Sequence, residues 1–222
     1  MPELMTTTAR TEFEFKAAAH LLFIERQQAR NLDELLTCLR SCSEGSIFQH
    51  TFRTLEEHHF IKEGFSNDFA HWVFSELGEA GLGERLASLD VREFTSLATL
   101  RQHLIEGVEE YSSRNPKARE RSAGVPFYFC SSKVIVIPTP IHASNLSEFV
   151  AGLQKVSVHS IQYHFIEARL RRKLESNDFS IWLDRDLGLG KIATRLEGID
   201  IYTSTLEGVR RKIIQTLQDA AA

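Results

Sequence analysis

The sequence is poor in cysteine, the residue that stabilises most small secreted domains. It contains three cysteines, Cys38, Cys42 and Cys130. An odd number without a regular spacing argues against a disulfide framework. Cys38 and Cys42 are one helical turn apart, a spacing that could supply half of a metal site but is more typical of thiols packed on the apolar side of a helix.

Long hydrophobic runs are absent as well. No apolar stretch approaches the roughly 20 residues that span a bilayer, and the first ten residues lack the apolar core of a secretory signal. We therefore expect a cytoplasmic protein with no membrane segment. Hydrophobic residues make up 42% and charged residues 25% of the chain, proportions typical of a folded globular protein.

The common sequence signatures of cofactor binding are missing too. There is no Walker loop, dinucleotide glycine fingerprint, paired cysteine motif or zinc-protease helix. The net charge of -4 does not favour nucleic acid, which usually requires a basic face. We predict no cofactor, no nucleic-acid partner and no membrane partner.

What the sequence does contain is an internal repeat, and such self-similarity constrains the architecture before any element is assigned. At a spacing of 114, Phe13, Phe15, Asn31, Ser46 and His50 match Phe127, Phe129, Asn145, Ser160 and His164. At a spacing of 110, Asn67, Asp68, Trp72, Gly78 and Arg85 match Asn177, Asp178, Trp182, Gly188 and Arg195. We predict two tandem homologous helical repeats, 12–111 and 126–219, which are joined by a polar linker, 112–125, and related by a pseudo-twofold axis.

The two repeats differ in charge. Residues 12–111 contain 9 basic and 18 acidic side chains, whereas residues 126–219 contain 12 basic and 10 acidic ones. Opposite signs could favour docking of one repeat on the other, or of one molecule on another. Drift of solvated surfaces after duplication is the alternative. The partner we expect is an unknown protein or a second copy of this chain.

Each repeat begins with a short extended segment. The alternation of Phe13 with Phe15, and of Phe127 with Phe129, has the period of a strand with one buried face. The second repeat continues with the β-branched run Val134–Ile137, but the first has a stretch richer in helix formers at this place. The pattern leaves open whether the two segments pair as a β-hairpin.

Helix signals dominate the rest of each repeat. Asn31 and Asn145 stand three residues before a glutamate, which is close to a capping box. Asn67 and Asn177 precede an aspartate and predict a further helix start, and Gly78 and Gly188 predict left-handed helix ends. We therefore predict a mainly α fold with minor β structure.

Two sets of residues have the types that a serine hydrolase uses. These sets are Ser46, His50 and Asp68, and their counterparts Ser160, His164 and Asp178. Serine, histidine and aspartate can act as nucleophile, base and orienting acid. However, each serine lies one helical turn from its histidine, without a glycine-rich loop for an oxyanion hole. The structural alternative is a serine that caps a helix and a buried histidine held by the aspartate.

Metal and anion binding are further alternatives. His50, His58 and His71 are candidate metal ligands, because neutral imidazole commonly binds metal ions. The arginines that recur in both repeats are candidates for binding a small anion, although salt bridges between helices also explain them. They are Arg85, Arg101, Arg195 and Arg210.

Three motifs together resemble a known family. They stand here as Ser46-Ile-Phe-Gln-His50, Asn67-Asp-Phe-Ala-His-Trp72 and Arg85-Leu-Ala-Ser-Leu-Asp90, and the second half repeats them. This combination resembles an uncharacterised bacterial family, one of the domains of unknown function. The resemblance covers nearly the whole chain and implies a bacterial cytoplasmic protein, without a known activity or functional residues.

Our leading hypothesis is a non-catalytic interaction or regulatory module. The first alternative is a hydrolase or metal-dependent enzyme that uses the region of His50 and Asp68. The second is a sensor of an anionic metabolite in a cleft between the repeats.

Overall fold

A computed structural model describes residues 2–53, 65–168 and 176–221 of the chain. Within these residues the fold is mainly α with a small antiparallel sheet of two strands, which confirms the predicted class. None of the described helices has both the length and the apolar character needed to cross a membrane. In chain order the α-helices are α1 (Pro2–Thr6), α2 (Leu32–Ser41), α3 (Glu44–Phe48), α4 (Asp68–Ser75), α5 (Ala80–Ala87), α6 (Leu97–Arg114), α7 (Leu146–Lys155), α8 (Val158–Ile161), α9 (Asp178–Arg185), α10 (Gly190–Glu197) and α11 (Leu206–Ala221).

Irregular helical turns interrupt this series at four places. Two are π-helical, Gln49–Arg53 directly after α3 and Gln162–Ile166 directly after α8. The other two are 3-10 turns, Val91–Glu93 and Pro116–Glu120. Each π-helical turn carries one of the two histidines that recur in the sequence, so the wider turn belongs to the site that is described below.

The strands β1 (Phe13–Ala29) and β2 (Phe127–Ala143) pair with each other and have 17 residues each. The prediction of short extended segments is wrong in length. In β1 the helix-forming alanines continue the strand, and Ala18 is buried. Tertiary packing outweighs a weak local preference here. Because helices α2 to α6 intervene, the strands do not form a β-hairpin.

The chain divides into two compact units. We call residues 20–133 the central unit, and residues 1–19 together with 134–222 the terminal unit. Thus the beginning of β2, residues 127–133, belongs with helices α2 to α6, and the beginning of β1 belongs with helices α7 to α11. The predicted ranges 12–111 and 126–219 follow the repeated sequence and are a different set of residues. The repeats, the linker and the pseudo-twofold axis stay predictions.

The central unit has an aromatic core. Phe127 and Phe129 of β2 contact Phe69 of α4, with ring centroids 5.0 and 6.0 Å away. Trp72, one turn later on α4, contacts Phe127 and donates its indole N–H to the Val125 carbonyl at 2.8 Å. Helix α4 packs on α5, and α2 packs on α6. The Phe-x-x-Trp pair is therefore part of the core.

The terminal unit is built in the same way from other residues. Phe13 and Phe15 of β1 pack edge-on and face-on against Phe149 of α7, at 5.1 and 5.3 Å. Phe149 in turn stacks on Trp182 of α9, whose indole N–H donates to the Thr11 carbonyl at 2.7 Å. Helix α9 packs on α10, and α11 packs on α7 and α8.

Polar side chains begin the helices as the sequence predicts. Asn31 accepts the backbone N–H of Glu34 at 2.8 Å, and the Glu34 carboxylate accepts the N–H of Arg30 at 2.7 Å. The first bond satisfies an amide that the helix leaves free, and the second satisfies the amide of Arg30 just before the N-cap. After α4 and α9, Gly78 and Gly188 have φ of +65° and +70°, a conformation that favours glycine because it has no Cβ.

Replacing a buried N-cap should cost more stability than replacing an exposed one. Asn67 is buried; its side chain accepts the N–H of Ala70 and donates to the Leu86 carbonyl at 2.8 Å. We expect Asn67→Ala to lower the free energy of unfolding by about 2 to 3 kcal/mol, since both bonds lie away from water. The control Asn145→Ala, at a cap whose hydrogen bonds are exposed, should cost about 1 kcal/mol. Urea unfolding measures both, and equal losses would contradict the expectation.

Candidate functional site

In the terminal unit, a serine and a histidine hold both backbone polar groups of one strand residue. Ser160, the third residue of α8, donates its hydroxyl to the Lys16 carbonyl at 2.6 Å. His164, in the π-helical turn that follows, accepts the Lys16 N–H on Nε2 at 2.8 Å. An exposed strand edge offers these two groups to a neighbouring strand. At Lys16, the serine and histidine side chains make the hydrogen bonds that a neighbouring strand would otherwise make.

The hydrogen bonds of His164 determine its tautomer. Because Nε2 accepts a backbone N–H, it carries no hydrogen, and the ring proton lies on Nδ1. Nδ1 is 2.8 Å from Asp178 Oδ2 and donates to it. Both residues are buried; the side chain of Asp178 is only 3% exposed. With both ring nitrogens engaged, the imidazole has no free position for a metal ion or for a proton from a substrate.

His50 makes the same contacts in the central unit. Its Nε2 accepts the N–H of Cys130, on β2, at 2.9 Å, and its Nδ1 lies 2.8 Å from Asp68 Oδ2. The Asp68 side chain is 37% exposed, whereas Asp178 is almost fully buried. The histidine is therefore held alike in both units, but water reaches only one of the two aspartates.

The serine of the central unit differs from its counterpart. Ser46 is fully buried, and its hydroxyl has no hydrogen-bond partner among the described residues. It does not cap the helix, as the structural alternative expected, because Ser43 occupies the N-cap of α3 and accepts the Ser46 N–H at 3.1 Å. In the part of the chain that the structure describes, no hydrogen bond joins Ser46 to His50. The nucleophile-to-base contact of a hydrolase is not formed in this geometry.

The candidate metal ligands do not converge on one place. His58 lies outside the described residues. His71 is exposed and stacks against Phe65, with ring centroids 5.8 Å apart, while His50 is occupied by Cys130 and Asp68. Among the residues that the structure describes, no group of three His, Cys, Asp or Glu side chains could hold a metal ion.

Three of the four arginines predicted for anion binding bond to other groups of their own unit, and the fourth, Arg195, is exposed. A guanidinium group that already makes such bonds has fewer N–H donors left for a ligand. Arg85 pairs with Glu110, Arg101 donates to the Cys42 carbonyl at 2.9 Å, and Arg210 pairs with Glu207 at 3.0 Å.

A shallow basic depression at the start of α11 was not predicted from the sequence. Lys212 there donates to Ser204 at 2.6 Å. Nearby, hydrogen bonds from the Thr203 hydroxyl and the Tyr202 N–H lower the pKa of Asp200, so this carboxylate is charged at neutral pH and reduces the positive potential. The lining residues are Thr203, Ser204, Thr205, Gly208, Arg211, Lys212 and Gln215.

A second cavity, of about 370 Å³, lies beside the His164 and Asp178 pair. Four carboxylates line it against one lysine, and Lys16 Nζ is 3.1 Å from Glu14. This balance favours a cationic over an anionic ligand. The sequence gives a weak signal for it, because acidic residues alternate with the phenylalanines at the start of β1. The cavity is lined by Thr11, Glu12, Phe13, Glu14, Lys16, Tyr163, His164, Asp178, Ile181, Trp182 and Asp186.

Comparison with known proteins identifies the family. The sequence profile of a family of unknown function, DUF5752, matches residues 10–218. The chain belongs to the DUF5752 family. It is also similar to the solved structure of OrfY from Thermoproteus tenax, with 31% sequence identity and a TM-score of 0.86 over 98% of this chain and 100% of that chain. No curated protein matches the sequence significantly. Neither match carries a known activity.

The cysteines of this DUF5752 protein are poorly suited to chemistry. Burial raises the pKa of Cys42 to about 11, although the positive charge of Arg101 opposes the change. Burial also raises the pKa of Cys38 and of Cys130. A raised pKa means that the thiol stays protonated at neutral pH, and the thiolate is the nucleophile and the metal ligand.

Removing the two histidines from the DUF5752 protein should have unequal effects. His164→Ala removes the imidazole that pairs with the buried Asp178 side chain, and we expect a loss of about 3 to 5 kcal/mol in the free energy of unfolding. His50→Ala should cost about 2 to 3 kcal/mol, because water can solvate the exposed Asp68. Denaturant unfolding measures both losses. In a His164→Ala, Asp178→Asn double variant, part of the loss should be recovered; a larger loss for His50→Ala would contradict this account.

Thiol labelling of the same protein tests the cysteine environments. At pH 8, a thiol with a pKa of about 11 has roughly 240-fold less thiolate than one with an ordinary pKa of about 8.5. We expect iodoacetamide to modify the half-buried Cys130 first, and Cys42 only after unfolding in urea. Peptide mass spectrometry reads the order. Labelling of Cys42 in the native protein as fast as of Cys130 would refute it.

Proposed function

We propose that this protein is a non-catalytic interaction module. The observation that carries the proposal is the engagement of both ring nitrogens of His50 and of His164 by groups of the fold. A general base must present a free nitrogen to its substrate. A metal-binding histidine must likewise present one to the ion. Neither condition is met.

The polar motif residues have a structural use instead. Ser160 and His164 satisfy the backbone of Lys16, and His50 satisfies the N–H of Cys130. Buried backbone groups without partners cost about 1 to 3 kcal/mol each. Strand attachment therefore explains the recurring histidine in both halves, and the serine in the terminal unit, without a reaction.

Two exposed apolar runs on the strands, one in each unit, support an interaction role. In β1, the four consecutive residues 21–24 are between 47% and 82% exposed, and in β2 residues 134–137 are between 39% and 47% exposed. Continuous apolar runs are typical of strands that are covered on both faces. Contiguous apolar surface on a folded chain commonly marks a site of interaction.

The enzyme and anion-sensor alternatives have less support. The enzyme alternative requires His50 to release the N–H of Cys130 before it can act. The anion alternative requires arginines that are now paired, Arg85, Arg101 and Arg210, to change partners.

An activity-based probe tests the proposal against the hydrolase alternative. A fluorophosphonate reacts with serines that a base activates. We expect no modification of Ser46 or Ser160 above the background seen in Ser46→Ala and Ser160→Ala proteins, with a known serine hydrolase labelled in parallel. Elemental analysis of protein purified without chelator tests the metal alternative. Stoichiometric labelling of either serine, or one bound metal ion that is lost in His50→Ala, would overturn the proposal.

A further inference from the structure

We infer that residues Leu21–Ile24 of β1 bind the same residues of a second copy of this chain, so that two copies form a dimer with twofold symmetry. The inference rests on the proposed interaction role and names its partner. Both faces of the strand are exposed at this run, its second edge is free of other described strands, and the flanking residues do not protect it from pairing.

Both faces of this run are exposed. Side chains alternate between the faces of a strand, so Leu21 and Phe23 share one face and Leu22 and Ile24 share the other. The exposed fractions are 47% and 50% on the first face, and 59% and 82% on the second. Burying such a side chain fully stabilises by about 1.5 to 3 kcal/mol. Exposure of these side chains to water is therefore unfavourable, and contact with another apolar surface removes this free-energy cost.

The run also has a free strand edge. β1 is half of a two-stranded sheet, so its second edge pairs with no strand among the described residues. At Lys16 the side chains of Ser160 and His164 occupy the backbone groups. No described side chain does the same for residues 21–24. Such an edge is a template for another strand.

The flanking residues indicate which strand fits. In β2, Lys133 and Pro138 border the exposed run, and lysine and proline are the residues that commonly protect strand edges from pairing. The run in β1 has neither, with His20 and Glu25 as its neighbours. Antiparallel pairing centred on Leu22 places Leu22 opposite its own copy and Leu21 opposite Phe23, while Ile24 lies opposite His20. The contact is self-complementary, as a twofold interface requires.

The exposed area fits a dimer that depends on concentration. Together the four residues expose somewhat more than two whole apolar residues, which is roughly 450 Å² for each copy and 900 Å² for the pair. Specific interfaces bury at least about 1,000 Å² in total, and the strand backbone adds to the side-chain area. We expect a dissociation constant in the micromolar range.

Sedimentation velocity of the whole chain tests the inference. The weight-average mass should rise from 25.3 kDa at low concentration towards twice this value, with about 80% of the chains dimeric when the protein reaches about ten times a micromolar dissociation constant. Ile24→Lys should weaken dimerisation at least about 30-fold, because the substitution occurs in both copies. Val125→Lys is the matched control: Val125 is 57% exposed, lies in the same unit and is outside the run. This control should dimerise like the unaltered chain, and thermal unfolding should show both variants folded.

Cross-linking tests the register independently. In a Cys130→Ser background, Leu22→Cys should form a disulfide-linked dimer under mild oxidation at least about tenfold faster than Val125→Cys, because pairing centred on Leu22 brings the two thiols within bonding distance. Equal rates for the two variants would overturn the register.

The outcomes distinguish this inference from the proposed function. A chain that stays monomeric at every concentration overturns the dimer, as does an Ile24→Lys protein that dimerises normally. Either result leaves the proposed interaction function unaffected, and a different protein would then bind residues 21–24. Labelling of Ser46 or Ser160 by the fluorophosphonate defeats the proposed function, whatever the oligomeric state.

Discussion

The structure depends on how the backbone of a two-stranded sheet is satisfied at its edges. A sheet of three or more strands pairs its inner edges with neighbouring strands, but β1 and β2 have only each other. In the terminal unit Ser160 and His164 take both backbone groups of Lys16, and Asp178 fixes the imidazole in the required tautomer. The same segment of β1 carries Phe13 and Phe15, which contact Phe149 in the aromatic core. A motif that resembles catalytic machinery is in this way explained by strand attachment.

The central unit contains a looser form of the same arrangement. His50 and Asp68 hold the N–H of Cys130, but the Ser46 hydroxyl has no partner among the described residues, and Asp68 is partly solvated. When its histidine is lost, a partly solvated aspartate lowers the free energy of unfolding less than a buried one does. It also contributes less to the rigidity of the pair. In both units a histidine–aspartate pair thus holds a backbone N–H of a strand, but the stability of the two units depends on these hydrogen bonds to different extents.

The features that the sequence predicted are local ones. Asn31 caps α2 through the N–H of Glu34, and Gly78 has the left-handed conformation that its position predicts, because a few neighbouring residues decide both. The pairing of histidine with aspartate followed from the need of a buried imidazole for a partner. The length of β1 and the attachment of its beginning to helices of the terminal unit could not be predicted. His164 contacts the backbone of Lys16, and a backbone group carries no side-chain signal in the sequence.

The nitrogen NMR spectrum of His50 and His164 in the native protein at neutral pH shows directly whether these histidines hold the strands. We expect both rings to be neutral with the proton on Nδ1, and the Lys16 amide to show a hydrogen-bond coupling to Nε2 of His164. A proton on Nε2 of either ring, or a His164 ring without that coupling, would contradict the claim that these histidines hold the strands.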